Sequence, residues 1–117
     1  MKKILAIVLC LAMLCGCLAG CGEGDTAGGD KVIKIGIFEP ASGANGAGGK
    51  QETLGIKYAH SIQPTVTIGG ETYEIELVEV DNQSADDKAV TAAAELVNKG
   101  VSVVLGSYGS SVSIAAS

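Results

Sequence analysis

Val101-Ser102-Val103-Val104-Leu105-Gly106-Ser107-Tyr108-Gly109-Ser110-Ser111 is the stretch that decides the fold of this 117-residue chain. Its apolar part is rich in β-branched residues and bounded by Gly100 and Gly106, which predicts a buried parallel strand over Val101–Leu105. The hydroxylated residues after it predict a turn off the carboxyl end of that strand. Val112 onward then opens a helix whose first backbone N–H groups carry partial positive charge. That arrangement is an anion cradle. Ser110 and Ser111 either cap the helix or lend a hydroxyl to a ligand carboxylate resting on it, because open α/β sheets bind their ligands at this edge.

Working back from this stretch, the same strand-then-helix alternation recurs. Val32-Ile33-Lys34-Ile35-Gly36-Ile37-Phe38 is almost wholly apolar, which predicts a central strand of a parallel sheet. It feeds the glycine-rich segment Glu39-Pro40-Ala41-Ser42-Gly43-Ala44-Asn45-Gly46-Ala47-Gly48-Gly49-Lys50. A phosphate-binding Walker loop needs glycine where Ala44 stands and Ser or Thr where Gln51 stands. A dinucleotide fingerprint needs its glycines directly against the strand, yet Glu39-Pro40-Ala41-Ser42 intervenes. Both nucleotide readings fail. What remains is either a flexible loop or one that approaches a small ligand closely.

Leu54, Tyr58, Ala59 and Ile62 recur at helical spacing and predict the buried stripe of a helix over Gln51–Ile62, ended by Pro64. His60 is the only histidine and is expected on the solvated face, with no second ligand to make a metal site. Val66 to Tyr73 predicts a hairpin around Gly69-Gly70. In the second strand, Tyr73 to Asp81, the apolar positions change phase between Leu77 and Val78, and its acidic residues suggest a sheet edge. Asp81 to Asp87 lacks the ligand at Ala85 and the glycine at Asp86 that a calcium loop requires. Ser84 is instead expected to cap the next helix, with Asp86 and Asp87 at its positive end. Ala89, Val90, Ala93, Ala94 and Val97 are its expected buried stripe, and Gly100 its left-handed stop.

These elements define an α/β fold with a Rossmann-like parallel sheet. Right-handed crossovers give the strand order 2-1-3, with an added hairpin, and bring loops 39–49 and 106–111 together at the carboxyl edge.

The leader sets the compartment. Met1-Lys2-Lys3, the apolar run Ile4–Leu14 and Leu18-Ala19-Gly20-Cys21 describe an export signal, too short to span a bilayer. Leu-Ala-Gly-Cys resembles a bacterial lipobox, which implies a signal peptide over 1–20 and a diacylglycerol on Cys21. Cys10, Cys15, Cys17 and Cys21 are the only cysteines, so no disulfide is expected in the mature domain. Processing removes two of the eight lysines and takes the formal charge from −5 to −7, with no arginine anywhere. Such a surface argues against nucleic-acid binding and against electrostatic attachment to a membrane. Attachment falls to the lipid, whose paired chains make the anchor stable. Residues 21–30, rich in glycine, are expected to be a flexible tether, and 31–117 the folded part.

Taken together, Ile33-Lys34-Ile35-Gly36 with Ser42-Gly43, Ile75-Glu76-Leu77 through Asp81-Asn82-Gln83, Leu96-Val97-Asn98-Lys99-Gly100-Val101, and Val104-Leu105-Gly106 with Ser110-Ser111 resemble the opening of a type I periplasmic solute-binding protein of the branched-chain amino acid (Leu/Ile/Val) transport family. The resemblance implies a two-lobed fold of which residues 31–117 form part of the first lobe, truncated within its third helix. An isolated piece of this kind is expected neither to bind tightly nor to fold stably. It further implies that Ser110 holds the solute carboxylate, with Ser111 and Gly109 beside it. Ser42, Gly48 and Gly49 would line the site from the first loop. Gly48 stands where such proteins carry an aromatic wall, and the places of a disulfide found in some relatives, near Ser84 and Gly109, have no cysteine.

The implied function is capture of an amino acid or similar carboxylated solute outside the cell and its delivery to ABC permease subunits, from an anchor on the extracytoplasmic face of the cell membrane. No catalysis and no cofactor are expected, since nothing pairs a nucleophile with a base. The sensor domain of a signalling receptor is the alternative, which the cleaved leader disfavours.

Overall fold

The computed structural model describes residues 31–117. The expected signal peptide, Cys21 and the tether lie outside the described residues. The chain runs β1 (Val32–Glu39), α1 (Gly46–Ile62), β2 (Thr65–Ile68), β3 (Glu71–Asp81), α2 (Asp86–Asn98), β4 (Val103–Leu105) and α3 (Ser110–Ala116). The sheet order is β2-β3-β1-β4. β1 is central and parallel to both β3 and β4, while β2 folds back antiparallel on β3. This is the expected 2-1-3 order with its hairpin. Gly69 and Gly70 make the turn at φ +61° and +86°, a conformation open to glycine at little cost.

Strand alternation sorts the sheet into two faces. Phe38, Val78 and Val80 point to one side and form the core with Ala89, Ala92 and Leu96 of α2 and Val112 of α3. Gly36 lets α2 come close, because a Cβ there would lie 3.1 Å from the Leu96 side chain. On the opposite side, α1 covers the sheet less completely, and an open cavity of about 590 Å³ runs between Ile56 and Ala59 of the helix and Ile35, Ile75 and Leu77 of the sheet.

Several expectations are corrected. The register of β3 with β1 is unbroken from Val32 opposite Glu74 to Glu39 opposite Asp81, so the change of phase in its apolar positions is a change of buried face and not a slip of the strand. Ile75 and Leu77 face α1 while Val78 and Val80 face α2, so one strand serves two layers in succession. Nor is β3 an edge; β2 and β4 are. The last strand begins at Val103 rather than Val101 and is exposed, having only β1 as a neighbour.

The helices are rotated from their expected settings. In α2 the buried residues are Ala89, Ala92 and Leu96, whereas Val90 and Val97 are exposed. α1 starts at Gly46, inside the stretch expected to be loop, and turns Gly46, Gly49, Thr53, Ile56 and His60 inward. Leu54, Tyr58 and Ile62, the expected buried stripe, are all exposed. The cause is close approach: a Cβ at Gly49 would overlap Pro40, so the glycine face is the one that fits against the end of β1. Tertiary contact here overrides the poor helix propensity of four glycines in five turns of chain. His60, expected in solvent, is therefore half-buried, its Nε2 2.8 Å from the Ile75 carbonyl oxygen.

Candidate functional site

Three loops meet at the carboxyl edge of the sheet. The one between β3 and α2 is pinned to the one between β1 and α1 through Asp81, whose Oδ1 accepts the amides of Ala41 at 2.8 Å and Ser42 at 3.3 Å and whose Oδ2 accepts the Ser42 hydroxyl at 2.7 Å. Burial pushes the Asp81 carboxyl upward, but these bonds and one from the Gln83 amide outweigh it and hold the group below its usual range. Ser84 completes the joint, accepting the Asn45 amide at 2.9 Å and donating to the Ser42 carbonyl at 3.1 Å. The expected capping role is thereby corrected: the N-cap of α2 is Ala85, without a side-chain bond, because the Ser84 hydroxyl is spent on the neighbouring loop. Gln83 and Ser84 both adopt positive φ, 58° and 57°, held by amide bonds to Asp81 and Asn82 respectively. Asp86 and Asp87 do occupy the first turn of α2.

Asn82 carries the joint across to the third loop. Fully buried, it donates through Nδ2 to the Phe38 carbonyl and to Ser107 Oγ, each at 3.0 Å, and its Oδ1 accepts the Ser84 amide. Ser107 Oγ in turn accepts the Gly109 amide, and Ser113 Oγ accepts the Ser107 amide at 3.2 Å while donating to the Gly109 carbonyl. Glu39, at the end of β1, accepts the Tyr108 amide at 2.9 Å. Burial pushes its carboxyl up to about 7, aided by the negative charge of Glu52 and opposed by the Tyr108 amide.

The serine-rich turn is thus tied down at Ser107, Tyr108, Gly109 and Ser113, while Ser110 and Ser111 stand exposed at the head of α3. Gly109 is the N-cap, and no side chain caps the helix. The amides of Ser110, Ser111 and Val112 take up no bond among the described residues. Ser42 lies in the adjoining loop with its hydroxyl on Asp81. Gly48 lies beneath the Tyr108 ring, which would be 2.6 Å from a Cβ at that position, and Gly49 is packed on Pro40. The aromatic ring at this mouth therefore comes from the third loop. Glu39, Asn82 and Tyr108 are positions of this loop joint that sequence reasoning passed over. Asn82 and Tyr108 had a signal in the motifs around them, whereas Glu39 had none beyond being an acid at the end of an apolar strand.

Among the described residues there is no cluster of three or more His, Cys, Asp or Glu side chains able to hold a metal ion, and no helix long and apolar enough to cross a membrane. The arrangement offers hydrogen-bond donors to an anion at the edge of a parallel sheet, between loops that are themselves rigidly joined. It defines an α/β lobe of the ligand-binding kind.

Residues 32–117 match the family model of the periplasmic binding proteins. The leucine-binding protein LivK of Thermotoga maritima is 34% identical with a TM-score of 0.62, the match covering 71% of this chain and 23% of that one. LivJ of Streptococcus pneumoniae, a branched-chain amino acid transporter substrate-binding protein solved with isoleucine, is 31% identical with a TM-score of 0.62, over 73% of this chain and 24% of LivJ. An ABC transporter solute-binding protein of Rhodopseudomonas palustris BisB5, in complex with 3,4-dihydroxybenzoic acid, is 30% identical with a TM-score of 0.62, over 74% and 23%. No curated protein matches significantly. The chain belongs to the periplasmic binding protein family, in its type I form, and spans about a quarter of the length of these neighbours. The family and these neighbours are solute-binding proteins rather than enzymes.

Proposed function

We propose that this protein is the lipid-anchored, extracytoplasmic solute-binding component of an ABC importer for branched-chain or related amino acids. The carboxylate of the solute sits on the amides at the head of α3, with the Ser110 hydroxyl donating to it and Ser111 and Gly109 alongside. The single observation that carries this reading is the tethering of the turn everywhere except at the unbonded Ser110–Val112 amides, of which Ser110 and Ser111 belong to exposed residues. Isoleucine in LivJ and the hydroxylated benzoate in the R. palustris protein both present a carboxylate on an apolar body, in agreement with such a seat.

Isothermal titration with leucine, isoleucine and benzoate tests the reading on the protein expressed from its complete reading frame. A charge-assisted hydrogen bond contributes about 1.5 to 3 kcal/mol, so Ser110→Ala weakens the preferred solute by about ten- to a hundred-fold. Unchanged affinity in that variant places the seat elsewhere. The anchor is tested separately: cells fed radioactive palmitate label this protein, and a Cys21→Ala variant that still takes up label overturns the lipid claim.

A further inference from the structure

β1 ends on an acid that is only 4% exposed. Its place is made for it. Glu39 accepts the Tyr108 amide at 2.9 Å, and Gly106, at φ +116°, admits the carboxyl because any Cβ there would overlap both Glu39 and the Phe38 carbonyl. Asn82 fixes the turn one residue earlier through Ser107, and the Tyr108 ring rests on Gly48 of α1. A single side chain at the end of the central strand therefore sets Tyr108, two residues ahead of Ser110.

The charges around it are few. Glu52 of α1 faces it with like sign. Lys50 and Lys57 of α1 and Glu79 and Asp81 of β3 line the same cavity of about 420 Å³, where Lys57 is paired with Glu79 at 2.7 Å. From β4 to the end of α3 the Tyr108 phenol is the only titratable side chain.

We propose that Glu39 is a positioning residue for solute binding: by holding the Tyr108 amide it sets the direction of the Ser110–Val112 donors, and its ionisation opposes a carboxylate seated on them. This rests on the reading of that turn as the seat. Burial keeps the carboxyl protonated to about neutrality, and a protonated Glu39 still accepts the amide through an oxygen lone pair. An ionised one does so while placing a negative charge behind the solute's own. At an effective dielectric of about 20, a like charge at roughly 10 Å is worth about ten-fold in affinity.

The test has two arms. In the solute-free protein, the amide resonance of Tyr108 followed by NMR from about pH 5 to about pH 9 moves with a midpoint near 7, and Glu39→Gln abolishes the movement while preserving the acceptor. A Tyr108 resonance that stays still in the wild type overturns the proposal. With leucine as probe, wild-type affinity falls about five-fold between pH 6 and pH 8, Glu39→Gln is flat across that range, and Glu39→Ala is weaker throughout. A wild-type pH profile that Glu39→Gln reproduces also overturns it. Failure of leucine to bind, or full affinity in Ser110→Ala, counts against the seat instead, and the Tyr108 resonance then decides alone whether Glu39 holds the turn.

Discussion

The Ser42 hydroxyl donates to Asp81 Oδ2 at 2.7 Å, joining residues 39 positions apart and making one rigid body of the loops that follow β1 and β3. The two acids that end these strands pull stability in opposite directions with pH. Asp81 titrates below its ordinary value of 3.8, so its contribution is present above that pH and is lost as pH falls through the folded value. Glu39 titrates near 7 rather than 4.5, so its contribution is complete below 4.5 and is lost as pH rises through 7. Denaturant midpoints measured across pH are therefore expected to peak between about 4 and 5, and Glu39→Gln removes the decline on the alkaline side.

Asn82→Ala strips the Phe38 carbonyl, Ser107 Oγ and the Ser84 amide of their partner at a fully buried position. Unsatisfied buried polar groups cost about 1 to 3 kcal/mol each, so a loss of roughly 3 kcal/mol is expected in chemical denaturation. A loss under about 1 kcal/mol means that water replaces the amide and that the joint is weaker than its geometry.

The face of α2 that meets the sheet is tested by neighbouring residues. Leu96 is 0% exposed and Val97 is 72% exposed. Leu96→Ala is expected to cost about 2 to 5 kcal/mol, and Val97→Ala less than about 0.5 kcal/mol. Equal costs would mean that the helix is turned as its apolar spacing first implied.

Glycines of α1 separate in the same manner. A Cβ at Gly55 meets nothing within 4 Å, and Gly55→Ala is expected to stabilise by about 1 kcal/mol through helix propensity alone. Gly49→Ala drives a methyl into Pro40 and is expected to cost about 1 to 3 kcal/mol, read as a shift of the denaturation midpoint.

The sheet was legible because its signals are dense: β1 is nearly unbroken apolar, and the Gly69-Gly70 and Gly100 positions ask for positive φ and receive it. The helix faces were not. In α1 the large apolar residues Leu54, Tyr58 and Ile62 make a regular stripe, but the face that packs is chosen by Gly46 and Gly49, whose contribution is an absence of volume and leaves no trace in a hydrophobic pattern. Alanines dominate α2, so a rotation by one residue changes the apparent stripe little while exchanging Val97 for Leu96. At the edge of the sheet, the meeting of the first and third loops follows from strand order. The burial of Glu39 does not, since it depends on a donor 69 residues away and on the space left by Gly106.

The Tyr108 ring fills the space that Gly48 leaves empty, so these two positions share one fixed volume across the mouth of the site. A larger residue at 48 either turns the exposed Tyr108 ring aside or calls for a smaller one at 108. The coupling runs one way: growth at 48 constrains 108, whereas a smaller residue at 108 leaves 48 unhindered.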